Sequence, residues 1–363
     1  MRSREETIAR IARELGFPLI GTAPLTRLPV GPFLHAWLVD GRVGEMRWLA
    51  RRTGERLDPR VAMPWARSVV SLAYPYRPPP PPPPGWRVTL RGRIAAYALG
   101  EDYHRRLPRL LDTLSARLVA AFPGTTVRRY VDTGPVLERE WAQRAGIGWI
   151  GRNTLVLHRA LGSYFFLAEV FTDLALDAVP LPEDRCGTCV RCHTACPTGA
   201  LGPGYAMDPR RCISYLTIEH RSAIPAALRP GIENWIFGCD VCQEVCPWNG
   251  AERDPEAADE LTPLLPPLLA LDVVGFQRRF ARTAVSRTKR RGFLRNVAVA
   301  LGNSGNPDAV PALVAALEDP EPLVRGHAAW AIGRIGGARG ALEAARRREP
   351  EASVVDEIET ALA

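Results

Sequence analysis

Two hydrophobic periods alternate along the first 175 residues of this 363-residue chain. Ile8, Ile11 and Leu15 fall on one helical face, and similar patterns recur downstream, so helices are predicted near 3–15, 32–50 and 105–121. Between them lie short apolar runs, Ser68–Ala73, Ile94–Tyr97 and Ser163–Val170, that read as buried strands. The mixture predicts an α/β domain. Seven consecutive prolines, Pro78 to Pro84, interrupt it. Proline has no N–H for a ladder or a helix interior, so this run is read as a polyproline II spacer in a surface loop. A stiff insertion is favoured over a docking site for a proline-reading partner.

The last third is helical and repetitive. Arg295–Gly305 aligns with Gly326–Gly336 at a period of 31, with Ala298/Ala329, Ala300/Ala331, Gly302/Gly333 and Gly305/Gly336 identical. Alanine-rich helices ending in glycine, followed by Pro307-Asp308 and a second helix, are similar to short HEAT-type repeats. So few repeats cannot form a long solenoid; they must pack against the preceding domain or cap it.

Composition adds three constraints. With 46% hydrophobic and 24% charged residues, the chain is of ordinary globular type. No run of roughly 18 uncharged apolar residues occurs, so no membrane span is predicted. The stretch Met1–Glu6 is unlike a secretory signal, and a cytoplasmic location is expected. The net charge of +8 rests almost wholly on arginine, Lys289 being the one lysine. Between Arg278 and Arg295 there are eight basic residues and no acid, with Phe280 and Phe293 interleaved. A solvated helix face normally mixes signs, so this run is read as a phosphate-binding, nucleic-acid-facing segment. Its candidate contacts are Arg282, Arg287, Lys289, Arg290, Arg291 and Arg295.

All eight cysteines fall between Cys186 and Cys246. Disulfides stapling a secreted domain would not leave the other three hundred residues without cysteine. Cys186-x2-Cys189-x2-Cys192-x3-Cys196-Pro197 is the bacterial ferredoxin run, in which three thiolates hold one 4Fe–4S cubane and the fourth reaches a second cluster. Cys239-x2-Cys242-x3-Cys246-Pro247 repeats its second half, and Cys212 supplies the eighth ligand. The swap assigns Cys186, Cys189, Cys192 and Cys246 to one cluster and Cys196, Cys212, Cys239 and Cys242 to the other. Two zinc sites are the competing reading, but zinc does not call for this spacing or for two Cys-Pro endings. Adjacent cubanes suit the relay of single electrons.

No Gly-x-Gly-x-x-Gly opens a helix after a strand, so a Rossmann site has no support. The most unusual N-terminal segment is Tyr130-Val-Asp-Thr-Gly-Pro-Val-Leu-Glu-Arg139. It puts Asp132 at an element end, either facing a pocket or capping the next helix. The glycine-rich stretch Gly146–Thr154 is able to approach a large ligand, and His158 follows it.

These segments, with Arg56-Leu-Asp-Pro-Arg60, Gly162-Ser-Tyr-Phe-Phe166, Arg211-Cys-Ile-Ser-Tyr-Leu-Thr-Ile-Glu219, the double cysteine motif and the HEAT-like tail, resemble epoxyqueuosine reductases from near the N-terminus to the last helices. The resemblance implies a cobalamin-dependent enzyme that reduces epoxyqueuosine to queuosine at the wobble position of tRNA. It implies three regions: an α/β cobalamin-binding domain over 1–175, a ferredoxin-like double 4Fe–4S domain over 176–250, and a tRNA-contacting HEAT-like repeat over 251–363. Two 4Fe–4S clusters would reduce the corrinoid to cob(I)alamin, and Asp132 would be the general acid. To be protonated near neutrality, Asp132 would need its pKa raised from about 3.9, and burial beside an apolar corrin is expected to raise it. Arg56, Asn153, His158, Ser163, Tyr164, Ser214 and Thr217 are the implied corrin contacts, together with Asp132. The Asp-x-His-x-x-Gly signature of histidine-ligated cobalamin is absent, since Asp102-Tyr103-His104 runs on into Arg105, Arg106 and Leu107. That fits a cobalamin with no histidine on its lower face, and equally a chain without cobalamin. A monomer is expected, with a flavodoxin- or ferredoxin-type electron donor. Two other functions remain open at this point: a reductive dehalogenase-like small-molecule cobalamin reductase, and a non-catalytic ferredoxin-type carrier.

Overall fold

The computed structural model describes residues 3–78, 80, 84–250, 254 and 258–363. Most of the proline run (79 and 81–83) lies outside the described residues. A four-stranded antiparallel sheet organises the first region, in the order Leu19–Pro24, Ser68–Pro75, Phe165–Thr172, Val127–Tyr130. The strand Ser68–Pro75 is buried through most of its length because both of its faces are covered. Val70 and Leu72 pack under the helices Arg4–Glu14 and Tyr103–Ala121, whereas Val69 and Phe171 pack with Trp141 of the helix Glu138–Arg144 on the other face. This is the period-2 alternation of a strand, filled on each side by helices of period 3.6.

Two predicted elements differ. The helix foreseen over 32–50 is split into Gly31–Val39 and a 3-10 turn Arg47–Ala50, because the chain turns through Asp40–Gly44. The strand foreseen at Ile94–Tyr97 is not part of the main sheet. Only Arg93–Ile94 is extended, and it pairs in parallel with Trp235–Phe237, before a 3-10 turn at Ala96–Ala98. The apolarity of this run has another cause: Leu90, Ile94, Ala96 and Ala98 are buried in the core of the C-terminal helices, beside Leu265 and Phe293.

Over 176–250 regular structure is short: helices Arg191–Ala195, Ile213–Ile218 and Val241–Glu244, and the strand Trp235–Phe237. The C-terminal helices include Lys289–Ser304, Pro322–Ile335 and Ala352–Leu362, stacked in turn. The repeated glycines mark the crossings. A Cβ on Gly302 would lie 2.8 Å from the Cβ of Ala331, and one on Gly333 would lie 2.6 Å from that of Ala361. The period of 31 is therefore a packing period, each helix needing one bare backbone position where the next crosses it.

Lys289–Ser304 is buried from Gly292 onward and is pinned by polar side chains. Arg295, 0% exposed, donates to the carbonyls of Leu216 (2.6 Å), Ser222 (2.7 Å) and His220 (2.9 Å). Asn296 donates to the carbonyls of Thr217 and Ile236, and Asn303 to those of Arg229 and Glu233. These bonds satisfy backbone acceptors that the short elements of the middle region leave unpaired. Arg295 is thus a structural residue and not an RNA contact, correcting the expectation from the charge run. The same holds for Arg290, whose side chain is 13% exposed and forms an ion pair with Asp319. Arg295→Ala is expected to cost about 3 kcal/mol, because it orphans buried carbonyls. Arg291→Ala, at an exposed position nearby, should change stability by less than about 0.5 kcal/mol. Denaturant unfolding of the two variants checks the contrast.

Candidate active site

The strand Val127–Tyr130 runs out at Asp132, whose φ of +55° is unusual for a residue other than glycine. Its backbone N–H donates to Glu138 at 2.5 Å, tying the turn to the first residue of the next helix. Asp132 does not cap that helix, where Leu137 holds the N-cap position. Its carboxylate meets His104 instead, Oδ2 to Nε2 at 2.9 Å. The other ring nitrogen, Nδ1, lies 2.9 Å from Asp102 Oδ1, and the same oxygen accepts the His104 backbone N–H to cap the helix Tyr103–Ala121. Tyr103 packs against the imidazole with ring centroids 4.0 Å apart.

The Asp132–His104 pair forms part of the wall of a cavity of ≈ 600 Å³. Trp37, Met46, Trp48 and Leu49 give that cavity apolar walls, and Arg287, Ser214 and Cys212 also line it. Past Trp48, Asp132 and Arg139 it adjoins a second cavity of ≈ 360 Å³, lined by Arg56, Val136 and Ile150 among others. Asp132 is 44% exposed to this space while protein surrounds it at longer range.

Burial is the largest influence on Asp132 and pushes its pKa up. The hydrogen bond and charge of His104, the Arg287 guanidinium and the Tyr103 hydroxyl outweigh it, so the carboxyl sits below its usual range. This reverses the expectation that burial would leave it raised. For His104 burial pulls downward, but the bonds to Asp102 and Asp132 push the imidazole up to about 9. At neutral pH the pair is therefore an imidazolium between two carboxylates. Beneath it, burial and the charge of Asp132 push Glu138 up to about 7. Burial and the charge of Glu138 hold its neighbour Glu169 well above the carboxylate range.

Of the residues named as corrin contacts, Arg56, Asp132 and Ser214 line these cavities. The rest are placed elsewhere. Asn153 is buried and accepts the Leu155 N–H at 3.2 Å. His158 accepts the Ala160 N–H and closes a tight turn with Gly162. Ser163 bonds Gln243 and Asn249, joining the first region to the second, and Tyr164 is buried beside Tyr76. Thr217 bonds Ile213 O at 2.7 Å and accepts the Gly238 N–H, holding a helix to a strand. These side chains hold loops and junctions and do not line the two cavities. The sequence reading missed His104, Tyr103, Arg139 and the Trp37 and Trp48 walls. An aspartate two residues before a histidine at a helix start was the available signal, and it was weighed only against a cobalamin signature that it fails.

All eight thiols are free of disulfides. The charges of Cys186 and Cys189 bear on Cys246, that of Cys196 on Cys212, and those of Cys212 and Cys242 on Cys239, while Cys242 also feels Cys192, so the two sets lie side by side. Burial raises the thiols of Cys239 and Cys242 strongly, so deprotonating them needs a cation among them. The donor set fits two thiolate-held cubanes. For a corrin, the apolar walls fit a flat macrocycle. The buried Arg56 Nε, which has no partner within the described residues, fits a polar edge.

In the basic run, Arg282, Lys289 and Arg291 are exposed, and Arg287 lies in the cavity wall, bonded to Glu219 at 2.5 Å.

Comparison with known proteins gives three family matches: a 4Fe-4S double cluster binding domain over residues 185–249, "Epoxyqueuosine reductase QueG" over 56–133, and HEAT repeats over 287–363. The epoxyqueuosine reductase of Xanthomonas campestris is 40% identical, covering 91% of this chain and 95% of its own. That of Escherichia coli is 39% identical over 88% and 86%. Among solved structures, an epoxyqueuosine reductase with an epoxyqueuosine-modified tRNA-Tyr stem loop superposes with a TM-score of 0.91 at 32% identity, covering 98% of this chain and 97% of that one. A Bacillus subtilis enzyme with its catalytic aspartate loop swung out of the active site gives 0.90 at the same identity and coverage. The fold, the cysteine set and full-length similarity to these enzymes lead to one conclusion: this chain belongs to the epoxyqueuosine reductase family and is an oxidoreductase.

Proposed function

We propose that the chain reduces the epoxide of epoxyqueuosine in a tRNA anticodon, with cobalamin held in the joined cavities and Asp132 as the general acid. The observation that carries this reading is that Asp132 and Cys212 line one cavity. Electrons and protons can then reach a single substrate. When bound, cobalamin supplies reducing chemistry to one face of the epoxide. Ser214 and Arg56 are the polar groups placed to hold it, and Trp37, Trp48 and Leu49 exclude water around it. Through Cys212, a cluster held by Cys196, Cys212, Cys239 and Cys242 would sit next to this space. The cluster of Cys186, Cys189, Cys192 and Cys246 lies farther out, where a surface cleft of ≈ 900 Å³ lined by Cys186 and Cys189 offers entry for a soluble electron donor.

Asp132 protonates the departing oxygen, a contribution typically worth about 10²- to 10⁴-fold. Against its burial, His104 first and then Arg287 and Tyr103 keep it ionised at rest. Glu138 holds the Asp132 turn through the backbone N–H. The phosphates of the stem loop would meet Arg282, Lys289 and Arg291, which replace the broader set read from the charge run. Arg287 stays within the cavity wall. Recognition of a base in this cavity requires it to leave its stack.

Asp132→Asn should abolish conversion of epoxyqueuosine to queuosine while cluster and corrinoid absorbance and stem-loop affinity persist. Nucleoside analysis of digested tRNA, alongside spectra, decides it, and normal product formation would remove Asp132 from this role. Replacing Arg282, Lys289 and Arg291 together by alanine should flatten the dependence of log affinity on log salt by about 2, since each lost phosphate contact removes about 0.7–0.9 from the slope. An unchanged slope in a fluorescence titration would place the RNA elsewhere.

Glu138 gives a pH test with a definite sign. Its folded pKa of about 7 lies above the ordinary 4.5, so its contribution to stability is complete below about 4.5 and falls as pH rises through about 7. Glu138→Gln keeps the acceptor for Asp132 N–H and cannot ionise. Its melting temperature relative to the parent should therefore rise between pH 4.5 and 7 and level off above; a difference that shrinks over that window would contradict the assignment.

A further inference from the structure

Deoxygenating an epoxide needs more protons than Asp132 carries. The oxirane has two C–O bonds. Cleaving the first leaves an alkoxide that takes one proton. Cleaving the second, as the carbons join in a double bond, expels the oxygen with another, and it leaves as water. Two electrons balance the change, delivered singly through the clusters from a low-potential protein donor. Both protons go to the same oxygen. An aspartate can deliver one and must be recharged before the next, at a time when substrate covers the cavity into which it points.

The structure has a group placed for that recharging. His104 Nε2 is 2.9 Å from Asp132, and Nδ1 is 2.9 Å from Asp102, so the ring joins two carboxylates through its two nitrogens. It can give a proton at one side and take one at the other without rotating. Tyr103 fixes the ring plane, and only 22% of the side chain is exposed. Asp102, 18% exposed, bonds the ring nitrogen on the side opposite Asp132 and follows the exposed Glu101 in the chain, although it also contributes to the cavity wall.

We propose that His104 is a positioning residue for the reaction, orienting Asp132 and recharging it through Asp102 between the two C–O cleavages. This rests on the reading of Asp132 as the acid. The charge state agrees, because the imidazole is held positive to about pH 9 and Asp132 is held ionised at rest. The groups that face the pair are Asp102 and Tyr103 at the start of the same helix, Arg287 from the 3-10 turn Ala284–Thr288, Arg56 and Arg139 along the cavity wall, and Glu138 below; Tyr97 carries its hydroxyl nearby. Of these, Asp102 and Asp132 are the ones bonded to the ring.

The test uses holoenzyme and an epoxyqueuosine stem loop. His104→Gln can still donate a hydrogen bond to Asp132 but cannot carry a proton. We expect kcat to fall by about 10²-fold or more, KM and stem-loop affinity to stay within about twofold, and the loss of activity near pH 9 to vanish from the profile. Asp102→Asn should move that alkaline limb to lower pH. A His104→Gln enzyme with kcat within about threefold of the parent and the same limb would overturn the proposal. So would a loss matched by loss of cobalamin absorbance or RNA affinity, which is a structural effect. If the parent enzyme itself makes no queuosine, the reading of function fails, and a second measurement still judges His104. NMR titration of the imidazole in cluster-loaded protein should give a midpoint near 9 that drops toward 6.5 in Asp132→Asn. An unmoved midpoint would refute the coupling.

Discussion

A charged guanidinium with no acid bonded to it, buried between helices and loops, holds the architecture of this enzyme together. Arg295 takes up the carbonyls of Leu216, His220 and Ser222, which the short helix Ile213–Ile218 and its following loop cannot satisfy internally. That helix begins at Cys212, a cluster thiol that is also part of the cavity wall. The helix that carries Arg295 follows the turn that carries Arg287, whose charge bears on Asp132. One set of buried hydrogen bonds therefore fixes both the Cys212 side and the Asp132 side of the cavity. A lysine could not replace it, since three carbonyls spread around a fork need a planar group with several fixed donors.

The cavity itself separates its tasks by chemistry. Its apolar walls of Trp37, Trp48 and Leu49 suit a macrocycle, while the titratable groups collect on the side of Asp132. The low-dielectric surroundings would oppose an isolated carboxylate there. Pairing it with His104 and Arg287 resolves the conflict by keeping the charges balanced within the wall. The carboxyls below solve the same problem differently: Glu169 retains a proton beside Glu138, so the turn is anchored with little net charge. A turn at a left-handed residue, tied down by a few hydrogen bonds to Glu138, His104 and Arg56, can also be released. The Bacillus subtilis relative, with its catalytic aspartate loop swung out, is an instance of such movement in the family.

The cysteine motif was legible because its information is local: each ligand set is written mostly in spacings of two and three residues. The helix Tyr103–Ala121 and the strand Ser68–Pro75 were legible for the same reason, each burying one consistent pattern. What escaped were contacts between distant segments. His104 and Asp132 are separated by 28 residues, and nothing in either neighbourhood names the other. The basic run misled in a different way. Arg290 and Arg295 share its composition with Lys289 and Arg291, but their partners, Asp319 and the carbonyls after Leu216, come from other segments. A polar series Arg295, Asn296, Asn303 inside an otherwise alanine-, valine- and leucine-rich helix was the sign of a buried polar junction. Ile94–Tyr97 was misread because apolarity records burial without saying against what, and here the neighbour is a helical layer.

For the role proposed for Asp132, an acid that is ionised at rest is not a contradiction. A carboxyl protonated throughout would have to be insulated from His104 and Arg287, and it would then have no nearby source for a second proton. Bonding Asp132 to an imidazolium lowers its own resting occupancy, yet it keeps a proton 2.9 Å away. When negative charge develops on the departing oxygen, the balance between the two sites shifts toward the carboxylate that lies nearer that oxygen. On the proposed relay the pair would act as one acid with two positions, the second carboxylate, Asp102, compensating the imidazole as it is refilled. Repeated protonation at a single atom thus depends on the link between Asp132 and the ring beside it.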